Sequence, residues 1–216
     1  MLFQRRTRNE ELTPYLIGIA GPSGAGKSYL AEHVAHELGG AAMFRLDSYY
    51  HDLGHLSLVQ RAHQNFDSPV SLDSALLTEN LRDLSKGKSI EKPLYDFTVH
   101  SRKKETERVD PQAYIIVEGL FALYWEEIRK FQGTKVYVDL RDATCLERRI
   151  DRDIRERGRT RESVLEQYST TVLPMAKQFV YPSRAHADMV VCGDDDIDHE
   201  VSLVVEHIRK NAVIRN

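Results

Sequence analysis

The sequence predicts an α/β fold: a parallel five-stranded sheet flanked by helices, with a small β-hairpin excursion and a helical lid. Three observations predict it. Apolar runs of strand length alternate with stretches of helical period, as a parallel sheet covered on both faces requires. The first apolar run breaks into a glycine-rich turn that opens a helix, and two of the later runs end in acids.

The strand-like runs are 15–20, 41–46, 114–117, 135–140 and 187–192, and the helical stretches are 27–38, 72–84, 123–131, 143–157, 161–180 and 198–210. Residues 87–112, GKSIEKPLYDFTVHSRKKETERVDPQ, contain two prolines and short β-prone pieces without helical period, and read as an inserted hairpin. Residues 15–216 are expected to form a single domain, with an arginine-rich lid at about 148–170. Residues 1–14 read as a flexible, solvated arm. They carry arginines but no apolar stretch of signal-peptide length, and no run in the chain approaches a membrane span.

The turn after the first strand, GPSGAGKS, fits G-x-x-x-x-G-K-[ST]. This P-loop pattern works because glycines let successive backbone N–H groups point inward at phosphate oxygens, at the positive end of the following helix. Gly21, Ser23, Gly24, Ala25, Gly26, Lys27, Ser28 and Tyr29 are the candidate nucleotide contacts, Lys27 reaching the outer phosphates and Ser28 placing its hydroxyl on Mg2+. The sheet is therefore expected to be of the P-loop NTPase type. The loop itself says nothing of the phosphate acceptor.

In such sheets ligands sit beyond the carboxyl ends of the strands. The second strand ends in FRLDSYY, so Asp47 shares that edge with the P-loop, where it serves as proton acceptor for an attacking hydroxyl, holds Mg2+ through water, or merely caps a turn. The third strand runs AYIIVEGL into Glu118, a position resembling the Walker B carboxylate that orients the water shell of Mg2+; the plain alternative is a solvent-facing strand end. In RRIDRDIRERGRTR, Arg148, Arg152, Arg155 and Arg159 are spaced for one helical face, with acids interleaved. We expect some to pair locally and two or three to close over a transferring phosphoryl group. Tyr95, Phe97 and His100 fall within six residues of the excursion and suit either stacking on a planar base or a small hairpin core.

Net charge is -3, from 30 basic and 33 acidic residues, so no global field draws the chain to nucleic acid or an anionic membrane. Cys145 and Cys192 form no C-x-x-C pair, which makes a reduced, cytoplasmic setting the default. No N-K-x-D run of a guanine-reading switch occurs.

GPSGAGKS, LDSYY, QNFDSP, LYDFTVHSRKKET, VEGL and RRIDRDIRERGRTRESVLEQY, in that order from about Tyr15 to Cys192, resemble the uridine/cytidine kinase family of P-loop small-molecule kinases. The resemblance implies transfer of the γ-phosphoryl of ATP or GTP to the 5′-hydroxyl of uridine or cytidine, giving UMP or CMP in pyrimidine salvage, with Mg2+ as cofactor. It implies Asp47 as catalytic base, Lys27, Arg149 and Arg152 as catalytic phosphate contacts, and Ser28, Glu118 and Asp47 as the metal site. Asp67 would hold ribose hydroxyls, Tyr95 and His100 would read the base beside Phe97, and Arg149, Arg159 and Gln167 would complete the substrate contacts. A homo-oligomer, tetrameric as members often are, follows from the same resemblance. The chain departs from the family where Ser68 stands for a histidine and Val70 for an acid or serine, and Arg45 is unusual so near Asp47. Alternatives of other classes are a related kinase with a sugar phosphate or pantothenate acceptor, and a non-catalytic nucleotide-dependent switch.

Overall fold

The computed structural model describes residues 13–214, so all of the expected N-terminal arm but Thr13 and Pro14 lies outside the described residues. Five strands, β1 (Tyr15–Ala20), β2 (Ala42–Arg45), β5 (Tyr114–Glu118), β6 (Gln132–Asp139) and β7 (Met189–Cys192), form a sheet in the order β2-β5-β1-β6-β7. Every pairing in it is parallel. The excursion forms a separate antiparallel pair, β3 (Ile90–Asp96) with β4 (Ser101–Val109).

Strand alternation explains the layers. Tyr15, Ile17 and Ile19 of β1 face one side, packing with Leu30 and Val34 of helix α1 (Lys27–Glu37) and with Val201, Val204 and Ile208 of the C-terminal helix, α8 (Ile197–Ile214). Leu16 and Ala20 face the other, joining Phe44, Val117 and Tyr137 with Leu77, Leu81 and Leu84 of α3 (Ser74–Ser85) and with Ile90, Tyr95 and Val109 of the hairpin. The hairpin is thus fastened to the second core by its own apolar residues. Before β6 the chain also forms two short helices, α2 (Leu58–Ala62), held by a Ser57–Gln60 capping box, and α4 (Glu126–Arg129).

Helical period over-read two stretches and missed one. Residues 123–131 are helical only through α4, because Trp125 enters as an extended N-cap. Residues 161–180 are not one regular helix. The run from α6 (Arg161–Gln167) passes through π-helical turns at Tyr168–Val172 and Ala176–Val180 on either side of a short α7 (Leu173–Met175). Pro174 lies in α7, where it removes a backbone donor from the ladder. The short α2 has too little apolar period to be read from sequence.

Candidate active site

The carboxyl edge of the sheet collects the chemistry. β1 ends at Ala20 and the chain turns through Gly24 (φ 85) and Gly26 (φ 98), backbone that side chains with a Cβ rarely adopt. A Cβ on Gly24 would lie 2.4 Å from the carbonyl oxygen of Cys145, so the loop and helix α5 (Asp142–Arg157) touch backbone to backbone. Gly26 is the N-cap of α1 and no side chain caps that end, which leaves the first N–H groups of the helix for a ligand. Lys27 is buried and donates to the Pro22 carbonyl at 2.8 Å. Burial pushes its ammonium below the ordinary lysine value, against the pull of Glu118 and Asp47.

Glu118 closes β5, buried, and accepts from Ser28 Oγ at 3.0 Å. Burial raises its carboxyl above the usual range, with Lys27 opposing and Asp47 adding to the rise. β2 ends one residue before a 3-10 turn, Leu46–Tyr49, whose first turn presents Asp47 exposed at the same edge. The charge of Asp47 is felt by Lys27 and Glu118 on one side and by Asp67 and Tyr50 on the other. Arg45, next to this turn, reaches away from it to Glu32 of α1 at 2.7 Å on the surface.

Asp67 is buried, and its backbone N–H donates to Asn65 Oδ1 at 3.1 Å in a turn that sets the carboxylate inward. Burial raises its carboxyl, Arg149 opposing from 3.7 Å. Of the two departures beside it, Ser68 uses its backbone, accepting from Ser71 Oγ at 2.6 Å, while Val70 points into solvent. Tyr95 is buried with its hydroxyl lacking a hydrogen-bond partner among the described residues. His100 stacks on Phe66, ring centroids 4.9 Å apart and planes 19° from parallel, and Tyr50 bridges Phe66, Tyr95 and Phe97. Burial lowers the His100 imidazole below its usual value, reinforced by Arg157, Arg159 and Arg61.

The lid arginines correct the expected face. Arg148 leaves for the Gly193 carbonyl and Asp194, and Arg155 sits at the surface near Glu156. The residues that converge are Arg149, Arg152, Arg157 and Arg159, all within ion-pair distance of Asp153, which is fully buried. The turn at Gly158 (φ 62) makes this possible by folding Arg159 back under the end of α5. Arg149 donates to Ser23 Oγ at 3.0 Å and to Gln167 Oε1 at 3.1 Å, while Arg159 also donates to Gln167. Arg157 lies over the Phe97 ring at 5.8 Å, joining lid to hairpin. Behind the P-loop a cavity of about 440 Å³ is bounded by Gly26, Tyr29, Arg148, Cys192 and Glu200. Asp194 is held by Arg148 at its rim.

The family model described as phosphoribulokinase / uridine kinase matches residues 16–197. The chain belongs to this family. Among curated relatives, a uridine kinase of Brevibacillus brevis is 45% identical over 180 residues, covering 82% of this chain and 84% of the relative. Another, of Ligilactobacillus salivarius, is 39% identical over 203 residues, covering 93% and 95%. Among solved structures, the phosphoribulokinase from Rhodobacter spheroides shares the fold with a TM-score of 0.62 at 16% identity, covering 85% of this chain and 73% of that one.

In this phosphoribulokinase / uridine kinase family member, the sequence pointed to Asp47 after β2 and Glu118 at the end of β5, but not to Asp153, Arg157, Phe66, Arg61 or Arg102. Asp153 looked like one of several surface acids, and only its complete burial sets it apart. Arg102 donates to the Tyr49 and Tyr50 carbonyls and to Asp73, so it braces the Asp47 segment against the hairpin. No helix among the described residues is long and apolar enough to cross a membrane.

Proposed function

We propose that this chain is a uridine/cytidine kinase that transfers the γ-phosphoryl of ATP or GTP to the 5′-hydroxyl of uridine or cytidine. The observation that carries this reading is the arrangement of acids about the P-loop: Asp47 follows β2 two residues beyond Arg45, the register partner of Glu118, and buried Asp67 is tied to Ser23 of the loop through Arg149. A hydrolase or switch has no use for a buried acid and an aromatic cluster on the far side of Asp47.

Main-chain N–H groups from Gly21 to Ser28, with Lys27, hold the donor phosphates, and Tyr29 borders the cavity behind them. The oxygens of Ser28 and Glu118, 3.0 Å apart, with Asp47 acting through water, suit Mg2+, which prefers few carboxylates plus phosphates and water. A cation there also offsets the burial of Glu118. When bound, Mg2+ supplies charge neutralisation between the outer phosphates.

Asp47 orients the 5′-hydroxyl and accepts its proton late, because phosphoryl transfer is largely dissociative. Arg149 and Arg152 stabilise charge on the moving group, Arg149 being already tied to the P-loop through Ser23. Asp67 accepts from the ribose hydroxyls, with Arg159 and Gln167 beside it, and the unpartnered Tyr95 hydroxyl and His100 read the base edge next to Phe97. A tetrameric assembly and a cytoplasmic setting belong to the same proposal.

A coupled kinase assay over ribonucleosides, 2′-deoxynucleosides, sugar phosphates and pantothenate, each with ATP and GTP, tests it. Turnover with uridine and cytidine is expected; turnover confined to a sugar phosphate or pantothenate contradicts the reading.

A further inference from the structure

We propose that Arg61 is a positioning residue for base selection: it fixes the Val99 carbonyl so that His100 keeps the backbone that lays its ring on Phe66. This rests on the reading of Tyr95 and His100 as the base-recognising pair.

His100 has φ 49 and is the one non-glycine residue with positive φ among the described residues. That conformation is costly for a side chain with a Cβ and persists only where the surroundings hold it. The surroundings are asymmetric. On the C-terminal side of the tip, Ser101 Oγ donates to Asp52 Oδ1 at 2.7 Å and Arg102 Nε donates to the Tyr50 carbonyl at 2.7 Å. On the N-terminal side, Phe97 is held by ring contacts from Tyr50 and Arg157, and Asp96 closes the turn locally by accepting from the Thr98 N–H at 2.9 Å. The link from the Val99 carbonyl to the rest of the protein is Arg61, at 3.1 Å.

Arg61 stands in α2 and spends its other donors on the Leu56 carbonyl at 2.8 Å and the Gly54 carbonyl at 2.9 Å. One planar fork therefore joins the 54–56 loop to the residue preceding His100, a geometry that five fixed donors allow and an ammonium does not. Arg61 touches neither the P-loop nor Asp47. Its removal releases the turn at Val99 and His100 while Ser101 and Arg102 keep the hairpin docked, so the loss falls on nucleoside binding and not on phosphoryl transfer.

The test uses the full chain as Arg61→Ala, Arg61→Lys, His100→Ala and the Arg61/His100 double alanine variant. Steady-state kinetics of Arg61→Ala are expected to show KM for uridine up about tenfold, with KM for ATP and kcat within about twofold of wild type. Arg61→Lys recovers part of the loss, and in the His100→Ala background Arg61→Ala adds less than about twofold. An unchanged uridine KM, an equal loss in KM for ATP, or fully additive effects overturn the proposal.

The milder Arg61→Lys variant covers the case that alanine unfolds the chain. His100 ring protons, shifted by the stacked Phe66 ring in the wild type, then move toward free-histidine positions in NMR spectra, and unmoved protons overturn the proposal. If wild type uses no pyrimidine nucleoside, or His100→Ala leaves uridine KM unchanged, base selection falls through the reading it rests on. The NMR shift reports separately on whether Arg61 holds His100.

Discussion

The proposed donor and acceptor halves of the site are built by different means. The donor half is centred on one contiguous stretch, Gly21 to Ser28, specified mainly by main-chain conformation, with the distant side chains Glu118 and Arg149 bonded to its serines. The acceptor half draws Asp67, Tyr95, His100, Arg149 and Arg159 from separate segments, joined by side-chain contacts across long sequence distances. A main-chain site fails as a unit when one backbone position is disturbed. A side-chain site loses one property at a time.

The largest effect should therefore come from a single methyl group in the donor loop. Gly24→Ala places a Cβ 2.4 Å from the Cys145 carbonyl oxygen at φ 85, and overpacking with left-handed strain costs about 4 kcal/mol against the formed loop. Donor affinity, followed by fluorescent nucleotide titration, should fall about a thousandfold, with uridine affinity little changed.

Asp153→Ala is next. It leaves four guanidinium groups without the fully buried carboxylate that gathers them, at a cost of about 3 kcal/mol, read as a lowered denaturation midpoint. Equal stability of variant and wild type would mean that the arginines do not depend on Asp153.

Asp67→Asn should raise uridine KM about tenfold and shrink the preference for uridine over 2′-deoxyuridine, because the amide keeps only one, uncharged acceptor oxygen for the ribose hydroxyls. Retained discrimination would move ribose selection to another residue.

The smallest effect is pH dependence at His100. Its folded-state value is depressed below 6.5 by burial and by Arg157, Arg159 and Arg61. The ring therefore stays neutral to lower pH than a free histidine, and uridine KM should remain flat as pH falls through 6.5, rising only below it. The sign for stability follows: below 6.5 the unfolded chain takes up a proton that the folded ring resists, so folding weakens as pH falls in that window. A uridine KM that rises above 6.5 would contradict the assignment.

The same contrast explains what was legible in the sequence. β1, the P-loop, α1 and the strand-end acids are local patterns, and the structure places them within a residue or two of expectation. Arg148 and Arg155 misled because helical spacing identifies a face but not what that face meets. Arg148 found Asp194 across the sheet edge, whereas Arg149, one residue on, turned inward to Ser23 and Asp67. Asp153 and Arg61 were not legible for a related reason: their roles depend on burial and on carbonyl groups brought near by other segments, which periodicity does not record. The π-helical turns near Leu173–Met175 also broke a pattern that sequence period reads as continuous helix.

Asp47 is proposed to join the two halves as the base for phosphoryl transfer. That role is tested most directly by Asp47→Asn, with turnover measured beside calorimetric binding of uridine and of ATP. Turnover should fall about a thousandfold while both ligands still bind within a few-fold of wild type. Turnover close to wild type, or loss of nucleoside binding in step with turnover, would contradict that role.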